Sequence, residues 1–333
     1  ERWQAHLMRP LQLPQAQVDL SVCVGVAMYP QDGNVITSLL HRAEMAMHQA
    51  KSGGTGRVGF FSLSLSRAAE ERLALEIALR EALQTGGLEL YYQPQIELAV
   101  GRLHGLEALA RWQHPTLGTI PPDRFIPLAE ECGLIGPLSR WVLEQACGQL
   151  AQWRREGLAV PAVAVNLSAS NFHNLELPTL VEQILERHGL QPSDLYVELT
   201  ESTLLEDHSS TLQTIERLHD LGVRLSLDDF GTGYSSLSYL RRLPITELKL
   251  DRSFVADLEH APMARSLSAA ILGIGTSLGL TVVAEGVETV AQKDILQAQG
   301  YPVVQGYWFA KPMPPQALPA WMAEQGMNRA QQV

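Results

Sequence analysis

Asp228 and Asp229 are adjacent carboxylates inside the run Leu225-Ser226-Leu227-Asp228-Asp229-Phe230-Gly231-Thr232-Gly233-Tyr234-Ser235-Ser236. They end a segment in which Val223, Leu225 and Leu227 share one face and Arg224, Ser226 and Asp228 the other. Neighbours on a strand face opposite sides, so both carboxylates reach one site only where the strand is ending. Gly231 and Gly233 suit such a turn, because glycine takes positive φ freely. Ser235 or Ser236 is placed to cap a following helix. Two adjacent anions repel unless something neutralises them, and hard divalent cations with oxygen ligands do so. A solvated Asp-Asp turn is the plain alternative, and only a wider set of polar residues can decide against it.

That set requires elements to carry it. Strand-like stretches are expected at Leu88–Gln93, His104–Trp112, Ala162–Ser168, Leu195–Ser202, Val223–Phe230, Glu247–Phe254, Leu280–Val287 and Pro302–Phe309. Helical stretches fall between most of them, at Leu138–Glu156, Pro178–Arg187, Ser209–Leu221, Ser266–Leu278 and Thr289–Ala298. Eight strands alternating with helices over roughly 250 residues predict an α/β fold, a (β/α)8 barrel of TIM type. A doubly wound open sheet is the competing architecture, but no GxGxxG follows the first strand.

In most of these strands one parity class is apolar and the other carries a polar residue near the C-terminal end. Glu107 alternates with Leu106 and Ala108, Asn166 shares a face with Ala162 and Ala164, and Glu198 shares one with Tyr196 and Thr200. The fifth strand presents Asp228, the sixth Lys249 and Asp251, the seventh Glu285 with Glu288 just beyond, and the eighth Gln305. A barrel gathers the C-terminal ends of its strands into one mouth. Any one of these residues alone reads as an edge polar group. Together they resist a packing explanation, since a buried carboxylate costs several kcal/mol unless paired or metal-bound. Glu107, Asn166, Glu198, Asp228 and Asp229 are all oxygen donors, and no histidine sits at these strand ends. Such a set favours Mg²⁺ or Mn²⁺ over Zn²⁺. Two such ions bridged by a carboxylate can activate water and hold a phosphate in line. Lys249 adds a positive charge suited to a developing anion; its structural alternative is a salt bridge to Asp251.

The chain has 333 residues, 46% apolar and 18% charged, with net charge −11 and no basic block. This describes a globular protein and argues against binding duplex DNA or RNA. Cys23, Cys132 and Cys147 are odd in number and lack CxxC spacing, so they read as reduced thiols of a cytoplasmic protein. No apolar run approaches the ~18 residues of a membrane span, so this segment is expected to make no membrane contact. The first residue is Glu1 rather than Met, which reads as a piece of a longer protein that could be membrane-anchored upstream.

Residues 1–17 read as loop. A strand is expected at Val18–Ala27, a helix from about Ile36 to Lys51 and a short strand at Val58–Phe61, followed by a linking helix over Ala68–Thr85. The stretch from Ser21 to Ala27, with Ala43-Glu44-Met45-Ala46-Met47-His48-Gln49-Ala50-Lys51, resembles the C-terminal portion of a GGDEF (diguanylate cyclase) domain. The family usually has Asp and Tyr where Glu44 and His48 stand. The hairpin that would carry cyclase chemistry is absent, so the expected role of this fragment is packing against the next domain. The division that follows is a GGDEF-like remnant at 1–62, a linker helix at 63–87, a barrel at 88–325 and a tail at 326–333.

The barrel segment, about residues 70–325, resembles the EAL family of cyclic di-GMP phosphodiesterases. The motifs are Tyr92-Gln93-Pro94, Glu107-Ala108-Leu109 with Arg111-Trp112, Phe125 to Glu130, and Asn166-Leu167-Ser168. They continue with Glu198-Leu199-Thr200-Glu201, Asp228 to Ser236, Lys249-Leu250-Asp251, Glu285-Gly286-Val287-Glu288 and Gln305-Gly306-Tyr307. The resemblance implies a barrel whose first strand is antiparallel, and hydrolysis of cyclic di-GMP to linear pGpG. It implies that Glu107, Asn166, Glu198 and Asp228 hold a first metal, and that Asp228 and Asp229 hold a second. Lys249 and Glu285 would contact the attacking water or its metals, and Glu201 would brace the loop after Asp229. Gln93, Leu109, Arg111, Asp251, Glu288 and Gln305 would position substrate or the metal-binding groups. It also implies a homodimer. A non-catalytic cyclic di-GMP receptor is the alternative, since some EAL domains have lost metal ligands.

Overall fold

The computed structural model describes residues 11–13, 16–18, 21–52, 54, 56–201, 203, 209–231 and 240–327. It divides into two compact units, Glu1–Leu79 and Arg80–Val333. The first contains an antiparallel pair, β1 (Leu11–Leu13) with β2 (Ala16–Val18), where the sequence reads as loop. The strand expected at Val18–Ala27 is accordingly split: Val18 belongs to this pair and only Val24–Val26 forms β3. Helix α1 (Ile36–Ser52) then leads to β4 (Val58–Phe60), which lies parallel to β3. Helix α2 (Leu63–Thr85) follows.

The second unit is built on β5 (Leu88–Glu97), β6 (Arg102–His114), a side strand β7 (Gly118–Ile120), α3 (Pro122–Glu131) and α4 (Ile135–Arg155). There follow β8 (Val163–Asn166), α5 (Ala169–Phe172), α6 (Leu177–His188), β9 (Leu195–Thr200), α7 (Ser209–Asp220) and β10 (Arg224–Phe230). The last elements are β11 (Glu247–Leu250), α8 (Arg252–Ala256), α9 (Pro262–Ser277), β12 (Thr281–Ala284), α10 (Val290–Gln299), β13 (Val303–Gln305) and α11 (Leu318–Glu324). The sheet runs β5-β13-β12-β11-β10-β9-β8-β6, with β7 beside β6, and β5 also pairs with β6. The ring therefore closes on eight strands. Strand β5 is antiparallel to both neighbours and the other seven are parallel.

The alternation of the strands explains the closure. Leu106, Val163, Val165, Val197, Leu199, Leu225, Leu227, Leu248, Leu250 and Val282 are all essentially inaccessible. Each contributes about 1.5–3 kcal/mol by leaving water. Helix α4 meets the barrel through Leu138, Val142, Leu143, Ala146 and Leu150, a spacing that puts them on one face. Trp112 and Phe125, which belong to two of the motifs, pack edge to face at 5.8 Å and are buried, so they serve the core.

Several strands are shorter than expected, each for a local reason. Strand β11 stops at Leu250 because Asp251 caps α8, its carboxylate accepting from Ser253 N–H. Strand β12 stops at Ala284 as the chain turns through Gly286 at φ +72°. Strand β13 stops at Gln305, where Val287 N–H donates to the Gln305 carbonyl and Trp308 N–H to that of Val287.

Candidate active site

The site begins with strand β10. Its pairing with β11 advances from Leu227–Leu248 to Phe230–Leu250, so one extra residue sits on β10. This is a β-bulge, and bulges re-aim side chains. Asp229 takes φ +56°, the only non-glycine residue with positive φ among the described residues. The sequence attributes the turn to Gly231 and Gly233; Gly231 does take φ +98°, and Asp229 adds a left-handed conformation of its own, which Asp tolerates better than most residues. Gly233, Ser235 and Ser236 lie outside the described residues. Asp229 N–H donates to Asp228 Oδ1 at 2.9 Å, and Gly231 N–H donates to Glu201 Oε2 at 3.2 Å.

Lys249 comes up from β11 with its ammonium fully buried. Its Nζ lies 2.7 Å from Glu285 Oε1, 3.0 Å from Glu198 Oε2, 3.4 Å from Asp228 Oδ2 and 3.6 Å from Glu107 Oε1. Four strands or strand ends thus converge on one cation, as the parity pattern requires. Asp251 is not among the ion-pair partners of Lys249, so the salt bridge expected there is replaced by these four. Asn166 Nδ2 donates to the same Glu107 oxygen, Oε1, at 2.7 Å, and Gln305 Nε2 donates to Oε2. Gln305 also donates to Gln93 Oε1 at 3.1 Å, and Gln93 Nε2 to the Ala310 carbonyl at 3.0 Å.

Burial and charge compete at each group. Burial pulls the Lys249 ammonium down, but Asp228, Glu107, Glu198 and Glu285 outweigh it and hold it well above its usual range. Burial raises Glu107, yet Lys249 and the amides of Gln305 and Asn166 leave it below the usual carboxylate value. Glu198 goes the other way: burial lifts it well above that value despite Lys249, helped by Glu107, Asp228 and Glu285. Glu285 is pushed up to about 8, chiefly by burial against the pull of Lys249. Burial and the neighbouring Asp228 and Asp251 raise Asp229.

Other expected residues are placed differently. Arg111 lies over the Tyr91 ring at 5.7 Å and donates to the Ala110 carbonyl, and Leu109 is half-buried beside it. Glu288 is exposed, with its own N–H bound to Gln292 Oε1 in the capping box that starts α10. Neither Arg111 nor Glu288 touches the carboxylate ring.

Could the donors hold a divalent cation? Among the described residues, no three His, Cys, Asp or Glu side chains stand in ready ligating geometry; the carboxylates turn to Lys249 instead. The donor chemistry nevertheless fits. Glu198 Oε1 is buried and accepts no hydrogen bond from the described residues, and its Oε2 meets Lys249 only as an ion pair, outside hydrogen-bond geometry. A buried oxygen left without a donor is expected where another partner binds.

The EAL domain family matches residues 76–312. The chain belongs to the EAL family. It is 43% identical over 323 residues to the bifunctional diguanylate cyclase/cyclic di-GMP phosphodiesterase MucR of Pseudomonas aeruginosa, covering 97% of this chain and 47% of that protein. It is 44% identical over 318 residues to the cyclic di-GMP phosphodiesterase NbdA of the same organism, covering 96% of this chain and 41% of that one. It therefore spans under half the length of these relatives. Among solved structures, a PaMucR phosphodiesterase in complex with c-di-GMP superposes with TM-score 0.70 at 46% identity, over 74% of this chain and 99% of that one. In this EAL barrel the Glu-Ala-Leu motif supplies Glu107 to the ring, while Ala108 is buried on the opposite face.

Sequence reading passed over a second layer beneath the ring. Tyr196, Ser226 and Glu247 each lie two residues before Glu198, Asp228 and Lys249 and share their face, a signal that was available. His104 gave no such signal, because the register shift between Gln95 and Ile96 makes it the extra residue opposite β5.

Proposed function

We propose that this EAL barrel hydrolyses one phosphodiester bond of cyclic di-GMP, releasing linear pGpG, with Mg²⁺ or Mn²⁺ as cofactor. The observation that carries this reading is the convergence of Glu107, Glu198, Asp228 and Glu285 on a buried Lys249, with one Glu198 oxygen lacking a donor. The family and the c-di-GMP complex of the MucR phosphodiesterase support the choice of substrate.

Glu107, Asn166, Glu198 and Asp228 would hold the first metal, and Asp228 with Asp229 the second. Bound there, the ions would lower the pKa of water and neutralise phosphate charge. Lys249 would stabilise negative charge that grows on the phosphoryl oxygens. Glu285, poised near neutral pH beside the ammonium, suits proton transfer at its Oε1. Gln305 and Asn166 orient Glu107, and Glu201 restrains the backbone at Gly231. Gln93, Leu109, Arg111, Asp251 and Glu288 would position the nucleotide. Assembly as a homodimer belongs to the same proposal and is read by light scattering.

The test is incubation with cyclic di-GMP and Mg²⁺ or Mn²⁺, with chromatography for pGpG. Wild type should turn over, while Glu107→Ala and Asp228→Asn should not, with unchanged circular dichroism. Tight binding without product would make the chain a receptor instead.

A further inference from the structure

We infer that His104 is a positioning residue, the keystone of a polar truss one layer below the site. This rests on the function proposed above. Glu247 is buried, and both of its oxygens are used: Ser226 Oγ donates to Oε1 at 2.9 Å, and His104 Nε2 lies 3.1 Å from Oε2. A carboxylate accepts, so Nε2 carries the ring proton. Tyr196 OH lies 3.4 Å from the same nitrogen and accepts from Arg224 Nη1 at 2.6 Å. The connected groups come from β6, β9, β10 and β11. These are the strands that carry Glu107, Glu198, Asp228 and Lys249.

The geometry gives His104 the critical place. In the closed ring, β6 and β11 are separated by three strands on either side. They face each other across the barrel, and no backbone hydrogen bond sets their spacing. Among the described residues two polar contacts cross that diameter: Lys249 to Glu107 at 3.6 Å in the upper layer, and His104 to Glu247 below it. Glu247 is two residues from Lys249 on one strand, and His104 is one bulged step from Glu107 on the other. The lower contact therefore sets how far apart the upper pair stands. A β-bulge that turns a histidine inward at this position makes structural sense only if something inside needs it. The polar interior also limits what can substitute, since removing the donor leaves a buried acceptor unsatisfied.

The test compares His104→Leu with His104→Gln, whose side-chain amide can still donate to Glu247. Three readouts are needed on the full chain: kcat and KM for cyclic di-GMP, Mn²⁺ affinity without substrate, and the ¹³Cε resonance of Lys249 without either. His104→Leu should lower kcat about tenfold or more with KM little changed, weaken Mn²⁺ binding and move the Lys249 resonance; His104→Gln should restore much of each. A lower Tm with unaltered kcat, Mn²⁺ affinity and Lys249 resonance would overturn the assignment and leave His104 a stability residue only. So would a His104→Gln variant as impaired as His104→Leu. If wild type proves inactive, the functional reading fails, yet the Lys249 resonance still decides the truss.

Discussion

Lys249 stands against four carboxylates with no exposure to water. Removing one partner of a buried ionic cluster leaves the rest uncompensated, at about 3–5 kcal/mol. Lys249→Met should therefore destabilise the metal-free protein by about that amount in urea titration. Mg²⁺ should recover more stability in the variant than in wild type, because the ion would replace the lost charge. Equal gains would mean that losing the lysine charge does not strengthen the hold of the ring on the metal. Glu285 allows a second prediction. Its pKa rises from the usual 4.5 to about 8 on folding, so between those values the folded state keeps a proton that the unfolded state has lost. Stability must then fall as pH rises through that window and level off above it. Glu285→Gln should flatten the slope in chelated, metal-free buffer, as measured by Tm against pH. These residues were legible because strand parity and position near a strand end mark them. Asp229 was only half legible: its identity was plain, but a bulge with positive φ at an aspartate cannot be read from the letters.

At the scale of elements, the barrel followed from alternating apolar parity, and all eight strands fall where that pattern puts them. Their ends did not follow, because long-range backbone contacts set them. Gly306 shows why. A Cβ there would come 2.1 Å from the Val287 carbonyl oxygen and 2.2 Å from the Val287 nitrogen, both backbone atoms 19 positions away. The neighbour cannot rotate aside, so Gly306→Ala must push the end of β13 from the turn after β12. This would separate Gln305 from Glu107 and disturb Glu285 together. The expected result is a loss of about 1–3 kcal/mol with a larger fall in kcat than in substrate affinity. An alanine variant with wild-type Tm and turnover would mean that the two strand ends are not held by this approach. The antiparallel sense of β5 was equally illegible from periodicity, which reads the same in both directions; only the family resemblance implied it.

At the scale of the molecule, the two units differ in what can hold them together. In the second unit, strands between Leu88 and Gln305 close an eight-stranded ring around buried apolar side chains. The described strands of the first unit are each three residues long, in two separate pairs. A chain of about forty to sixty residues is only marginally stable, because it buries a smaller share of its surface than a large domain does. The net charge of −11 lies wholly in residues 80–333, since acidic and basic side chains balance over residues 1–79, and no helix among the described residues is long and apolar enough to cross a membrane. We therefore propose that residues 1–62 are the GGDEF-like remnant and that the catalytic unit begins with the helix at 63, keeping 326–333 as tail. A chain of residues 63–333 should fold, hydrolyse cyclic di-GMP at the rate of the full chain and unfold in one urea transition. Residues 1–62 alone should give the circular dichroism of an unfolded peptide. The urea slope tracks the surface exposed on unfolding, so the shorter chain should also unfold with a slope reduced by no more than the share of residues removed. A larger drop, with lost turnover, would show that the first unit completes the barrel's fold.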